Sequence, residues 1–239
     1  MGVQQATANP AGHPRLRVTT HSGRVTVTAE ERADFHFETR KPYIEDVVAD
    51  SSGYQTPVLD RGSRDIDIRC PLGTDVVIGT KSGDVELSGE FGRVSVTTKS
   101  GRTRLDRADF VDLRSDSGDI EVAACGQQCR VSTGSGKAVI GPTGAAEVMT
   151  VSGSISLKGA AGGVRARSAT GDVEVRTTGK NDVAVETLSG RVTVRVPHEV
   201  HPEAHLKSLS GKRQLDCEEG TDCCVAVRTM SGSIALVPD

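Results

Sequence analysis

The sequence predicts an all-β fold, a single-domain β-solenoid of about nine two-strand coils of 17–21 residues, with an atypical β cap at its N-terminal end. Three observations predict it. First, a Ser-Gly or Thr-Gly pair recurs with its glycine at Gly83, Gly101, Gly118, Gly136, Gly153, Gly171, Gly190, Gly211 and Gly232. The intervals are 18, 17, 18, 17, 18, 19, 21 and 21 residues, the near-constant period of a stacked repeat. Second, the residues around each glycine keep their class from copy to copy. Four positions after it stand Leu87, Leu105, Val122, Ile140, Leu157, Val175, Val194, Leu215 and Leu236, all aliphatic. Five before it stand Ile78, Val96, Leu113, Val131, Val148, Ala166, Val185, Leu206 and Val227. Third, the column just after the glycine alternates in charge, with Asp84, Arg102, Asp119 and Lys137, echoed two residues on by Glu86, Arg104 and Glu121.

These columns define one strand on each side of the glycine, because side chains on a strand alternate between two faces. The position two after the glycine is apolar in seven of nine copies, the exceptions being Thr103 and Arg213. A hydroxyl stands three before the glycine in every copy, from Thr80 to Thr229, with the parity of the inward columns. Such a hydroxyl is expected inside, near a corner, bonded to its equivalents along the stack. Equal two-strand units complete their hydrogen bonds by stacking on one another. An antiparallel β-sandwich would also show short strands every eight to twelve residues, but its strands would differ from one another. In parallel in-register coils the alternating charges face each other, at about 0.2–1 kcal/mol per pair, and set the register.

Residues 1–14 are polar, carry Pro10 and Pro14, and read as a disordered tail. Residues 15–72 read as the capping region. They hold one early copy of the motif, His21-Ser22-Gly23-Arg24-Val25-Thr26-Val27, and then an aperiodic stretch with Phe35, Phe37, Tyr43 and Tyr54. An atypical end of this kind closes the open edge of a first coil. Residues 73–239 carry the coils. The last two grow by insertions, Pro197–His205 and Asp216–Cys224, expected to stack against each other. The chain ends directly after a strand, so the final edge is expected to be blunted by Pro238 or open to a partner or a second copy.

Glycine is abundant and aromatic residues are scarce, a balance that suits narrow, turn-rich coils. The net charge of -3 gives no indication of nucleic-acid binding, and no apolar run is long enough for a membrane span. The first residues lack the apolar core of a secretory leader, so a cytoplasmic location is the expectation.

Candidate sites are few. The insertions carry His198, His201 and His205 in one and Cys217, Cys223 and Cys224 in the other. Imidazole and thiolate ligands from stacked loops could hold zinc, with His198, His201, Cys217 and Cys223 as the candidate set, although the spacing matches no standard finger. The alternative is a solvated loop, with a Cys217 bridge to Cys223 or Cys224 under oxidising conditions. Cys125 and Cys129 read as buried structural thiols. The carboxylates Asp84, Glu86, Asp119 and Glu121 could in principle act as acid and base, but Arg102 and Arg104 lie between them. No catalytic order of Ser, His and Asp, no phosphate loop and no aromatic sugar platform is present, so no enzyme is expected.

The recurring T-x-S-G-[DRS]-[VI]-x-[LV], the entry CPLGTDVVIGTKSGDVEL and the closing VRTMSGSIALV resemble the bacterial putative-adhesin family, over Val18–Val27 and from Cys70 to Leu236. The resemblance implies a β-solenoid with a non-enzymatic role, often associated with the cell envelope, and it transfers no catalytic residues. Three functions therefore stand. The first is a non-catalytic interaction scaffold, binding an unidentified protein or envelope partner through the C-terminal loops or one sheet face. The second is a solenoid that assembles end to end through its C-terminal edge. The third is a glycan-active β-helix enzyme, which the scarcity of aromatics disfavours.

Overall fold

A computed structural model describes residues 14–39, 44–49, 55–59 and 65–239. Most of the predicted tail, residues 1–13, lies outside the described residues, as do Tyr43 and Tyr54. The described chain is entirely β, with no helix. Its strands are β1 (Arg15–Ser22), β2 (Val25–Glu30), β3 (His36–Thr39), β4 (Ile44–Ala49), β5 (Gln55–Leu59), β6 (Ile66–Pro71) and β7 (Asp75–Ser82). Four long strands follow, β8 (Val85–Ser100), β9 (Thr103–Ser117), β10 (Ile120–Ser135) and β11 (Ala138–Ser152). Then come β12 (Ile155–Ala160), β13 (Val164–Thr170), β14 (Val173–Thr177), β15 (Val183–Ser189) and β16 (Val192–Val196). The last four are β17 (Glu203–Ser210), β18 (Arg213–Leu215), β19 (Cys224–Ser231) and β20 (Ile234–Pro238).

These strands form a β-solenoid of parallel coils. Ser82 pairs with Ser100, Ser100 with Ser117, Ser117 with Ser135, Ser135 with Ser152, Ser152 with Thr170 and Thr170 with Ser189. Each coil turns once at its glycine. In β8 to β11 the opposite corner lies inside a continuous strand, with a break of register between Leu87 and Glu90 or between Cys125 and Gln128, and in the next coils the strand ends there, at Ala160 and at Thr177. That corner has its own buried column: Phe91, Ala108, Cys125, Thr143, Ala160 and Thr177. The aliphatic columns read from the sequence form the core; Val94, Cys129, Ile140, Val148, Val175, Val185 and Leu236 are fully shielded from solvent.

The hydroxyl column is inside as expected, but its partners differ from the expectation. Thr98 and Thr187 donate to the carbonyls of Ser100 and Ser189, two residues ahead on their own strand, at 3.0 and 3.1 Å. No bond links one hydroxyl of the column to the next among the described residues. Thr80, Ser115, Thr150, Ser168 and Thr229 have no partner at all. An in-register ladder places equivalent atoms one strand spacing apart, about 4.8 Å, which exceeds hydrogen-bond reach.

The charge ladder is also revised in part. Arg104 meets Glu121 at 3.4 Å as expected. Asp84 and Asp119, however, accept the backbone N–H of Arg102 and Lys137 at 2.8 and 2.9 Å. The corner leaves those N–H groups turned toward the neighbouring coil, and a short carboxylate reaches them before it reaches the long basic side chain.

Both ends of the stack depart from chain order. The early motif copy is a true coil: β1 pairs with β7, Ser22 opposite Ser82, and β2 pairs with β8. The regular stack thus begins at Arg15 rather than Gly73. Beyond it lie β6, parallel to β2, and β3, antiparallel to β6. The antiparallel strand breaks the repeat, and Phe35 beside it is buried, so this segment forms the cap.

At the other end the chain climbs two layers and then returns. The coil β19–β20 lies between β15–β16 and β17–β18, with Ser189 opposite Ser231 and Ser231 opposite Ser210. The outermost coil is therefore residues 203–215, and the free edge belongs to β17 and β18 rather than to the C-terminal strand, correcting the expectation about Pro238. Arg213 explains the arrangement. It occupies a column that is otherwise Val, Ile, Ala or Thr, and burying an unpaired guanidinium inside the stack would cost several kcal/mol. On the outermost coil it is exposed, and it reaches the Leu206 carbonyl on the facing strand at 3.4 Å. An inward-directed charge is a device that blocks edge-to-edge pairing. Arg213→Val is accordingly expected to open the end, giving concentration-dependent oligomers in sedimentation velocity where the parent chain gives one species; unchanged sedimentation would refute this role.

Candidate functional site

The sheet formed by the strands preceding the glycines carries outward side chains six, four and two positions before each glycine. In the first coils the column two before the glycine is polar: Lys81, Lys99 and Asp116. From the sixth coil corner onward it turns apolar. In stacking order it reads Val151, Ala169, Leu188, Met230 and Leu209. Exposure is 63% for Val151, 53% for Leu188 and Met230, and 81% for Leu209, on strands whose inward columns are buried except on the outermost, β17. These side chains line one wall of a groove of about 1040 Å³.

The opposite wall is the column four before the glycine: Met149, Arg167, Glu186, Arg228 and Lys207, in the same stacking order. Arg167 and Glu186 pair with each other at 3.1 Å. Among the described residues no ion pair reaches Arg228 or Lys207, and Arg213 closes the far end of the groove. The site is an apolar wall facing a charged one that is cationic at its C-terminal end, on a chain whose net charge is -3. Topology assembles it. Because β19 intercalates, Met230 lies directly between Leu188 and Leu209. The column was visible in the repeat alignment as an outward position that turns apolar in its last copies, and attention to the inward columns passed over it.

The predicted metal set is not brought together. His198 is exposed on the first insertion. The His201 ring lies 3.6 Å from carboxylates of both Glu218 and Asp222, and its backbone N–H donates to Asp222 at 2.9 Å. Cys223 is buried just before β19 and Cys217 packs against the core. Among the described residues no group of three His, Cys, Asp or Glu side chains is placed to hold a metal ion. The two insertions do stack, as expected: Gly220 and Asp222 donate backbone bonds to Pro202 and His201. They are the segments by which the chain climbs past a layer and returns.

The six cysteines are free thiols. Cys125 and Cys129 sit on either side of the far corner, both inward. Their mutual hydrogen bond draws the Cys125 thiol down to about 7 and pushes Cys129 well up, with burial adding to the latter. Burial pushes Cys70 up to about 11, and it also raises Cys217, Cys223 and Cys224. Reactivity follows access as well as ionisation. In native protein at pH 8, iodoacetamide is expected to modify Cys217 and Cys224 first, with Cys70, Cys125, Cys129 and Cys223 reacting only after unfolding; peptide mass mapping reads the order.

Three of the four carboxylates considered for acid–base work have partners in the stack. Glu121 is engaged by Arg104, and Asp84 and Asp119 hold the corner N–H groups.

Comparison with known proteins places the chain near two solved structures. It is similar to a putative adhesin from Bacteroides fragilis NCTC 9343, with a TM-score of 0.49 and 12% identity over 99% of this chain and 100% of that one. It is also similar to a putative cell adhesion protein from Clostridium sporogenes ATCC 15579, with a TM-score of 0.26 and 13% identity over 99% and 97% of the two chains. No family model and no curated protein matches the chain. At such scores the superpositions are loose, and the solenoid rests on this chain's own strand register.

Proposed function

We propose that this chain is a non-catalytic interaction scaffold that holds a partner in the groove along Val151, Ala169, Leu188, Met230 and Leu209. One observation carries the reading: a run of outward apolar side chains on coils that need none of them for their core. Contiguous exposed apolar surface rimmed by polar groups marks an interaction site. The solenoid supplies a rigid, flat support, since every coil is held by ladders on both sides except at the ends.

Two alternatives fit less well. End-to-end assembly would have to use the edge of β17 and β18, which Arg213 obstructs. Glycan turnover would need an acid and a base free of partners, whereas Arg104 and the corner N–H groups engage three of the four carboxylates considered for those roles, Glu121, Asp84 and Asp119.

The test is differential retention. Immobilised parent protein and its Leu188→Lys variant, both checked for the same melting temperature, are exposed to an extract of the source cells. The scaffold reading expects a defined protein retained by the parent and lost with the variant. Identical retention profiles would overturn the assignment to this groove.

A further inference from the structure

The groove's dimensions and charge bear on what it holds, an inference that rests on the scaffold reading above. We infer that the occupant is an acidic amphipathic α-helix of about three to four turns.

The period of the apolar wall is the first ground. Its apolar side chains repeat once per coil, about 4.8 Å along the stack. A helix lying along the stack presents one apolar side chain per turn, about every 5.4 Å, so the two registers drift by only about 0.6 Å per step. An extended strand in the same direction repeats its face about every 6.7 Å and loses register within two steps. Five apolar wall positions span four coil steps, about 19 Å, which a helix of about 13 residues covers. The groove, about 1040 Å³, is open along that length, and Met149 and Met230 supply adaptable thioether side chains at its walls.

Charge is the second ground. Arg228 and Lys207 are neighbours in one column, Arg213 lies at the groove's end, and none of the three has a carboxylate partner among the described residues. Arg228 is flanked in its column by Glu186, which Arg167 engages at 3.1 Å, and by Lys207; like charges directly opposite on paired strands repel, so the outer Arg228–Lys207 neighbourhood carries a cost that an anionic partner relieves. A second copy of this chain docked through the same groove with its stack parallel, about a two-fold axis along the groove, would bring these cations toward their own equivalents. Charge complementarity therefore favours carboxylates, placed on the flank of the helix that faces the column of Arg228 and Lys207.

The probe is a blocked synthetic 15-residue helix with Leu at one position per turn and Glu on the flanks, alongside a counterpart with every Glu changed to Lys. Fluorescence anisotropy reads binding to full-length protein. The acidic peptide is expected to bind, at least tenfold more tightly than the lysine peptide, and severalfold more weakly at 500 mM than at 50 mM NaCl. Leu188→Lys and the double variant Lys207→Glu/Arg228→Glu are each expected to weaken it at least tenfold. Equal binding of both peptides, or binding indifferent to these variants, would overturn the proposal. So would a parent dimer that Leu188→Lys disperses in sedimentation, or anionic phosphatidylglycerol vesicles that bind through Leu188 when the peptide does not. If neither peptide binds at millimolar concentration while the retention test still gives a Leu188-dependent partner, the helix is wrong and the scaffold stands. If that test also fails, both readings fall.

Discussion

Gly136→Ala is expected to destabilise the solenoid by about 3 kcal/mol or more, combining left-handed backbone strain of about 1–3 kcal/mol with overpacking of about 1–3 kcal/mol. Gly136 has φ +142, a conformation that side-chain-bearing residues rarely adopt. A Cβ built on it would collide with the Gly118 carbonyl of the coil below, which is backbone and has no means of moving aside. The same contact recurs from Gly23 through Gly83, Gly101, Gly118, Gly136, Gly153, Gly171 and Gly190, then Gly232 and last Gly211. A ladder of bare backbone therefore runs the length of the stack, and its order repeats the exchange of the last two coils. Gly79→Ala is the control. Nothing lies within 4 Å of a Cβ there and its φ is ordinary, so the change is expected to stay within about 1 kcal/mol. Guanidinium denaturation of the two variants measures the contrast. Equal effects would mean that the glycine column is dispensable.

Val227→Asp is expected to cost about 4 kcal/mol or more, while Leu206→Asp, in the same column one coil further out, should cost about 1–2 kcal/mol. Val227 lies between Val185 and Leu206 with no exposed surface. An aspartate there has neither water nor a cation. Leu206 is only partly buried, because no coil covers it. Stacking in chain order would reverse this ranking, since Val227 would then be outermost. Stability in a repeat array is a sum of coil and interface contributions, so the lesion at Val227 should release β17–β18 together with β19–β20. Hydrogen exchange would report this as joint loss of protection over residues 203–238.

Most of the architecture was legible because the inward columns are so uniform. Leu87, Leu105 and Val122 share a class, a position and a partner, and the structure stacks them in register. Uniformity is also what concealed the order at the ends. Val225 can sit as well on Val183 as on Ala204, so the columns alone do not say which coil is neighbour to which. The distinguishing residue was Arg213, the lone charge in an inward column, which only an outermost coil can tolerate. The His and Cys insertions drew attention as candidate ligands, yet their placement follows from their work as crossings between layers. The groove escaped the sequence reading because exposed apolar residues are common one at a time. Val151, Leu188, Met230 and Leu209 form a surface because they share one outward column of in-register coils, and the stacking order sets which of them are neighbours.

Coil order links the fold to the site, since it sets Met230 beside Leu188 and puts Arg213 on the end. Paired cysteines test it most directly. Outward positions on adjacent coils lie within disulfide reach, whereas positions two coils apart are separated by about 9.6 Å, too far to bridge. Glu186 is directly opposite Arg228, and Lys207 lies on the far side of Arg228. Under mild oxidation, Glu186→Cys with Arg228→Cys should give a linked peptide by mass spectrometry, and Glu186→Cys with Lys207→Cys should not. The opposite result, with 186 linked to 207 and not to 228, would return the coils to chain order and place Leu209, not Met230, beside Leu188.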